Sequence, residues 1–315
     1  MTNKEITNAY YGADQVEKIY LGSEVIWPAG SPPTPPTPPH DYSKDYLTIE
    51  VVGDPGYEGA LTIRNNLVQY SLNGGPWTNN TILDYLHPGD IIRFRGDENS
   101  ATGQGNFSGN TLQFKVYGNI ESLEYGDNFS WYTSTKLDNS FRDCFRGCTG
   151  LTDASNLVLP ATALTYNSYS YMFYSCTSLT TVPELPATTL SGGNSCYMYM
   201  FYGCTSLTTA PELPATTLTR NCYASMFSNC TSLTTAPELP ATTLAISCYQ
   251  SMFGRCTNLN YIKCLATDIS ASNCTGGWVQ GVQTNSGTFV KPASTDWSGK
   301  TGTSGIPTGW TVIEE

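Results

Sequence analysis

Eleven cysteines and two histidines are the residues of this 315-residue chain that could support nucleophilic catalysis or bind a metal. His40 lies in a proline tract, and His87 lies in the turn Leu86-His87-Pro88-Gly89-Asp90. A Ser/His/Asp or Cys/His nucleophile needs a histidine held beside it as a base, and neither position suits that role. The sequence therefore predicts no catalytic residue, no metal site and no cofactor.

Most of the cysteines recur at equivalent positions, in two columns. The columns are Cys176, Cys204, Cys230 and Cys256, and Cys196, Cys222, Cys248 and Cys274. Ser140 and Ser168 take the second position in earlier repeats, so a thiol is not obligatory there. This pattern favours reduced, buried thiols. Disulfides involving chiefly Cys264 and Cys274 are the first alternative. Zinc is the second, although the cysteine spacing of eight differs from the close pairs of structural zinc sites.

A repeated carboxylate is the other feature that could do chemistry. Glu184, Glu212 and Glu238 occupy the same position of successive repeats. Glycoside hydrolysis needs an acid and a base in different environments across a cleft, whereas these three have equivalent surroundings. We interpret them as a solubilising row, with a weak Ca²⁺ site as the alternative.

The charge balance excludes two classes of partner. Lys and Arg number 15 against 26 Asp and Glu, so the chain has a net charge of -11 and little capacity to neutralise phosphates. We therefore expect no nucleic-acid binding. No apolar run approaches the ~18 residues of a membrane span, and residues 1–26 contain no signal-peptide core. If the sequence is complete, we expect no export through a signal peptide.

The columns exist because the chain repeats itself from Ser140 onward. The tetrad Cys-Thr-x-Leu recurs at spacings of 28, 28, 26 and 26, beginning at Cys148 and ending at Cys256. A period of this length with a fixed apolar frame is typical of a solenoid. Between tetrads, Pro-Glu-Leu-Pro predicts an extended segment that pairs only in short stretches. Tyr197, Met200 and Cys204, at i, i+3 and i+7, predict a short helix.

The frame predicts stacked rows of buried side chains. The predicted leucine rows are Leu179, Leu207, Leu233 and Leu259; Leu185, Leu213, Leu239 and Leu265; and Leu190, Leu218, Leu244 and Ile269. The predicted rows opposite are Phe141, Tyr169, Tyr197, Tyr223 and Tyr249; Cys144, Met172, Met200, Met226 and Met252; and Phe145, Phe173, Phe201, Phe227 and Phe253. Trp278, Val279 and Val282 replace the usual Met, Phe and Cys, which predicts a terminal cap.

The repeats resemble those of BspA-like leucine-rich repeat surface proteins of gut and oral bacteria. The resemblance depends on the Cys-Thr-Ser-Leu tetrad, the Leu-Pro that follows it and the aromatic segment ending in Cys, over about residues 120–310. It implies adhesion or ligand binding rather than catalysis. The repeats are longer than that family's commonest unit, which predicts a more developed loop side.

The N-terminal part differs in composition from the repeats. Aromatic and β-branched residues around Gly-centred turns predict a small β meander in the first 27 residues. A proline tract follows it and favours an extended spacer. Runs at Tyr46–Val52, Leu67–Leu72, Ile91–Phe94 and Leu112–Val116, with turn residues between them, predict a β-sandwich.

These elements predict a mixed α+β protein. Its expected parts are a β anchor segment (1–27), a Pro-rich linker (28–41), an antiparallel β-sandwich (42–120), a leucine-rich repeat solenoid of about five repeats (121–269) and a C-terminal cap (270–315).

Comparison of the repeats also identifies a candidate binding face. Tyr171, Tyr174, Tyr199 and Tyr202 gather on two adjacent repeats, where other repeats have different residues. Exposed tyrosines among small polar residues suit uncharged sugars or protein surfaces. Neutral drift of unconstrained positions is the alternative explanation of the same variation.

We expect a non-enzymatic phage virion fibre or decoration protein, assembled in the cytoplasm of the bacterial host. The N-terminus would attach to a capsid or tail protein, and the repeats would bind a host surface glycan or protein. A homo-oligomer is expected, with a trimer as one option; a bacterial cell-surface adhesin is the alternative. The predicted anchoring residues are Tyr10, Tyr11, Ile19, Tyr20, Leu21 and Trp27.

Overall fold

We describe the protein from a computed structural model. The described residues are 10–11, 14–15, 20–21, 24–25, 40–56, 58–64, 68–96, 107–108, 112–190, 192–283, 286–297 and 299–315. The chain divides into two compact units, 1–40 and 41–315. Residues 28–39 of the predicted linker lie outside the described residues.

The first unit contains two short antiparallel pairs. Strand β1 (Tyr10–Tyr11) pairs with β2 (Asp14–Gln15), and β3 (Tyr20–Leu21) pairs with β4 (Glu24–Val25). The predicted β character of this segment is confirmed for these eight residues.

The second unit begins with two open sheets. Their strands are β5 (Leu47–Val52), β6 (Gly59–Ile63), β7 (Gln69–Leu72), β8 (Ile82–Leu86), β9 (Ile91–Arg95), β10 (Phe107–Ser108) and β11 (Gln113–Asn119). One sheet has the order β10-β6-β8, and the other contains β11-β5-β9-β7, with antiparallel pairing throughout. Both sheets contribute side chains to one apolar core, for example Leu61 and Phe94. Four of these strands match predicted runs, whereas β6, β8 and β10 were not predicted.

The repeats continue the second sheet. Strands β12 (Leu151–Asp153) and β13 (Leu157–Val158) pair in parallel with β11. Helix α1 (Ser122–Tyr125) and a 3-10 helix (Gly126–Trp131) follow β11 along the chain. Two further 3-10 helices span Tyr42–Lys44 and Gly302–Ser304, so the described part of the second unit is mostly β.

The helix predicted in each repeat is wrong, because these residues form a series of turns. Six such turn segments occur: 139–148, 167–176, 195–204, 221–230, 247–256 and 273–282. In the second, the N–H groups of Met172 and Tyr174 donate to the carbonyls three residues earlier. Those of Tyr171 and Phe173 donate instead to carbonyls of the next segment. Alternate N–H groups thus bond along and across the repeats, a pattern that an α-helix cannot provide.

The predicted rows nevertheless lie inside, except for Leu218 and Leu265, which are half-buried. Their tyrosines, phenylalanines and methionines are almost fully buried, and the ring centroids of Phe173 and Phe201 are 5.4 Å apart in a stacked pair. Phe107 of β10 stacks on Phe145 at 5.3 Å and so begins the phenylalanine row. Leu265 was wrongly placed in the second leucine row, because Leu239 pairs with Cys264, which is fully buried.

A three-stranded parallel sheet, β14 (Tyr261–Lys263), β15 (Thr288–Lys291) and β16 (Thr311–Glu314), forms the C-terminal part. Trp278 is fully buried and stacks on Tyr249 at 6.3 Å and on Trp297 at 5.9 Å. Between neighbouring repeats, the described extended segments pair through isolated parallel bridges, such as Thr209 with Thr235, in agreement with the prolines there.

Candidate binding face

The turn segments place three positions of every repeat in the left-handed region. In the second segment these are Asn167, Tyr171 and Ser175, with φ of 56°, 58° and 58°. The middle position is occupied by Asp143, Tyr171, Tyr199, Ser225, Ser251 and Gly277 in turn, all with positive φ. Bulky side chains are uncommon in this region because Cβ approaches the backbone oxygen. Tyrosine is therefore an unusual choice in the second and third segments.

The structure brings all four predicted tyrosines together. Tyr171 stacks on Tyr199 with ring centroids 4.8 Å apart and planes at 14°, and Tyr174 stacks on Tyr202 at 4.7 Å and 4°. Within one repeat, the rings of Tyr199 and Tyr202 are 5.6 Å apart. All four are half-buried. We call these four residues the tyrosine quartet.

Two arginines cover the N-terminal side of the quartet. The Arg146 guanidinium lies 4.8 Å from the Tyr174 ring centroid and 5.4 Å from that of Tyr171, and Arg142 lies 5.5 Å from Tyr171. Both arginines pair with Asp143, at 3.3 Å from Arg142 Nε and 3.1 Å from an Arg146 guanidinium nitrogen. Cation–π contacts of this kind contribute ~0.5–1 kcal/mol at exposed sites.

The C-terminal side of the quartet is bordered by small residues. Ser225 and Ser228 stand where Tyr199 and Tyr202 stand one repeat earlier, and Ser251 and Gly254 follow them. Among the described residues, no aromatic ring or cation lies over Tyr199 or Tyr202 from this side. The aromatic stack therefore ends at Tyr199 and Tyr202. We call the change from these two tyrosines to Ser225 and Ser228 the step.

Burial raises the pKa of Tyr171, while the charges of Arg142 and Arg146 oppose this shift. The Tyr171 phenol is consequently uncharged at neutral pH. Its hydroxyl can donate and accept hydrogen bonds, which suits a polar ligand.

The remaining candidate chemical groups do not assemble into a reactive centre. His87 pairs with the exposed Glu58 at 3.3 Å. Glu184 and Glu212 lie at the edge of a groove between prolines, and Glu238 pairs with Lys263 at 3.4 Å. No group of acidic, histidine and cysteine side chains that could hold a metal ion occurs within the described ranges.

All eleven cysteines are buried thiols that are not joined in disulfides. In one column each thiol donates to the phenylalanine carbonyl of the preceding repeat, as Cys204 Sγ does to Phe173 O at 3.2 Å. Burial raises the pKa of the Cys204 thiol to about 12. These thiols are therefore structural hydrogen-bond donors within the core, in agreement with the favoured reading of reduced cysteines.

Two features of the surface were not predicted. Arg142 and Arg146 could have been found by aligning the repeats, because Arg146 occupies the same position as Tyr174. Trp131 is 84% exposed beside Tyr132, which stacks on Tyr125. No repeated pattern marks Trp131, so sequence reasoning had no signal for it.

The predicted anchoring residues are described only in part. Tyr10, Tyr11, Tyr20 and Leu21 lie in β1 and β3. Ile19 and Trp27 lie outside the described residues. Over the described part of the chain, no helix is long and apolar enough to cross a membrane.

Comparison with known proteins identifies the repeats. Neither the curated proteins nor the solved structures include a significant match to the chain. A family model, however, recognises a region that contains the four turn segments between residues 167 and 256 and parts of the first and last segments. Residues 142–275 match the BspA type leucine rich repeat region, in six copies.

Proposed function

We propose that this protein is a non-enzymatic adhesion protein whose repeats bind a host surface glycan or protein through the tyrosine quartet. BspA-type repeats are typical of surface or adhesion proteins, and their presence supports this class. We further propose a stacked solenoid with a C-terminal cap, in which the turn segments form the ligand-facing side. The cross-repeat hydrogen bonds and the stacked rings support that arrangement.

The quartet is the observation that carries the proposal. Its rings lie at positions that the other repeats fill mainly with small polar residues, and two of the four have positive φ. Such a residue costs about 1–2 kcal/mol relative to an unstrained position. Its retention twice in adjacent repeats favours a function over neutral drift.

The test compares two sets of variants in the full chain. The first changes Tyr171, Tyr174, Tyr199 and Tyr202 to Ala; the matched control changes to Ala the exposed Gln280, which occupies the column of Tyr174 and Tyr202 in a later repeat. Binding is measured on a glycan array and on whole bacterial cells, after circular dichroism has verified folding. Loss of binding in the first set alone supports the proposal, and unchanged binding there contradicts it.

We also propose that the protein is part of a phage virion, as a fibre or decoration protein. The N-terminal unit would bind a capsid or tail protein through Tyr10, Tyr11, Ile19, Tyr20, Leu21 and Trp27. The division of the chain into units 1–40 and 41–315, and the proline tract that follows the predicted anchor segment, support separate parts for attachment and binding. Light scattering would measure the number of chains in the proposed homo-oligomer, for which a trimer is one option.

Deletion of residues 1–27 tests the attachment. We expect the full chain to enter particles and the deleted chain to remain free. Incorporation of the deleted chain would contradict the anchor. Recovery of the full chain only in the envelope fraction of a bacterium would favour a cell-surface adhesin instead.

A further inference from the structure

We propose that the step beside Tyr199 and Tyr202 binds one pyranose ring of a neutral glycan. This inference rests on the proposed adhesion function and deepens it. It assigns contact to one side of the quartet and adds the small residues of the next two repeats to the site.

Among the described residues, stacking rings and cations leave one side of the quartet uncovered. The rings of successive repeats lie face to face at 4.7–4.8 Å, so Tyr171 and Tyr174 cover one face of Tyr199 and Tyr202. Arg142 and Arg146 cover the opposite end. The faces of Tyr199 and Tyr202 that look toward Ser225 and Ser228 therefore remain for a ligand.

The next two repeats keep this space open. Ser225 and Ser228 are buried, so their short side chains lie below the half-buried rings of Tyr199 and Tyr202 and form a floor. Gly254 packs closely against this floor without adding a side chain, since a Cβ there would lie only 3.1 Å from Ser228 Oγ. A sugar ring stacked on Tyr199 and Tyr202 would occupy the place that further tyrosines would have filled.

The chemistry of the step favours a neutral sugar. Its two rings offer an apolar face to sugar C–H groups. The buried Ser228 hydroxyl donates to Gly254 O at 3.1 Å, so the rings rather than the floor would make the contact with the sugar. The floor carries no charge. The neighbouring cation, Arg255, lies beside Gly281. A Cβ added to Gly281 would be 3.5 Å from Arg255 Cγ. The arginines at the other end are paired with Asp143.

Backbone conformation supports the same site independently. Tyr199 has φ of 59°, whereas the equivalent positions that follow hold Ser225, Ser251 and Gly277. Glycine lacks the Cβ that causes strain in the left-handed region, and a bulky residue such as tyrosine is more unusual there than a small one. The change from tyrosine to small residues marks the step itself.

The chain supplies its own blocking substitution. Ser228→Arg places a guanidinium in the same column as Arg146 but on the other side of the tyrosines, and so covers the free face of Tyr202. Gln280→Arg is the matched control, because it makes the same kind of change in that column two repeats beyond Ser228, at an exposed position. Tyr202→Phe retains the flat face, and Tyr202→Leu removes it with little loss of apolar volume.

The probes are neutral polymers, namely mannan, galactan, dextran and β-glucan, with polygalacturonate as the acidic comparison. Affinity electrophoresis of the full chain measures binding, and thermal unfolding monitors the fold. We expect Ser228→Arg and Tyr202→Leu to weaken binding to a neutral polymer at least tenfold. Gln280→Arg and Tyr202→Phe should bind within about twofold of the unchanged chain.

The remaining outcomes separate this inference from the proposed function. Binding that Ser228→Arg leaves intact, or that is lost only in Trp131→Ala, overturns the step as the site. Preference for polygalacturonate, or cell binding that follows a protease-sensitive receptor with no affinity for any polymer, overturns the neutral glycan while leaving adhesion in place. Failure of the full chain to bind cells and polymers alike overturns the proposed function and this inference together.

Discussion

Glu121 provides the sharpest test of the core at the junction between β11 and the repeats. Its side chain is fully buried, and neither carboxyl oxygen has a hydrogen-bond partner among the described residues. Burial, with a smaller effect from the charge of Glu124, raises the pKa of Glu121 to about 9 from 4.5. The group is therefore protonated in the folded protein at neutral pH and ionised in the unfolded chain.

This difference sets the sign and size of a pH effect. Between about pH 4.5 and pH 9 the folded state binds one proton more than the unfolded state. Stability from this group is fully present below pH 4.5 and is lost as pH rises, by ~1.4 kcal/mol per pH unit. From pH 5.5 to pH 7.5 the free energy of unfolding should thus fall by about 3 kcal/mol. Burial also raises the pKa of Glu124, so its contribution has the same sign.

Glu121→Gln removes the titration while keeping the shape of the side chain. Urea unfolding of the full chain at pH 5.5, 6.5 and 7.5 measures the slope, and Glu184→Gln, at an exposed position, is the control. We expect the slope to shrink by ~1.4 kcal/mol per pH unit in Glu121→Gln and to remain in the control. Equal slopes in the unchanged chain and in Glu121→Gln would refute a neutral, buried carboxyl group.

Three further predictions follow from the repeats. No thiol of the folded chain should react with Ellman's reagent at pH 8, since all eleven are buried, and all should react in denaturant; fewer in denaturant would indicate disulfides. Tyr199→Asn should change the free energy of unfolding by less than about 1 kcal/mol, because asparagine tolerates positive φ and this offsets the lost stacking. Phe201→Ala, measured likewise by denaturant unfolding, should lose ~3–5 kcal/mol. Similar losses in both would show that Tyr199 belongs to the core. Gly150→Ala should destabilise by at least ~2 kcal/mol, since its Cβ would lie 1.8 Å from Leu112 O, and Gly299→Ala, with open space, should not; equal melting temperatures would contradict this close approach.

The buried rows could be predicted from the sequence because the same apolar residues recur at equivalent positions of each repeat. Tyr197, Met200 and Phe201 repeat in phase, and all three are buried whatever the backbone conformation. The helix prediction failed because the spacing of Tyr197, Met200 and Cys204 does not distinguish a helix from consecutive turns. The cross-repeat hydrogen bonds that decide between them involve residues distant in sequence.

The same distinction explains what could be predicted of the candidate site. The four tyrosines stood out because they depart from the repeated pattern. The cation–π contacts of these tyrosines with Arg142 and Arg146 depend on the distance between adjacent repeats, which cannot be derived from the sequence. Strands β6 and β8 were also missed. They are short and belong to no repeat, and β6 begins at a glycine, a residue that is uncommon in strands, which here packs against Leu112.

The turn segments explain how a binding face can vary while the core stays constant. The spacing between tetrad cysteines shortens from 28 to 26 after Cys204, and the two residues are lost between Leu218 and Cys222, before the turn segment begins to stack. Tyr199 N–H therefore still donates to Ala224 O at 2.9 Å, in the same register as Tyr171 N–H to Met198 O. Because this register is retained, a substitution at an outward-facing position changes the surface of one repeat and leaves the buried rows in place. The end of the tyrosine quartet is such a change, and it converts a continuous stack into a step with one open aromatic face.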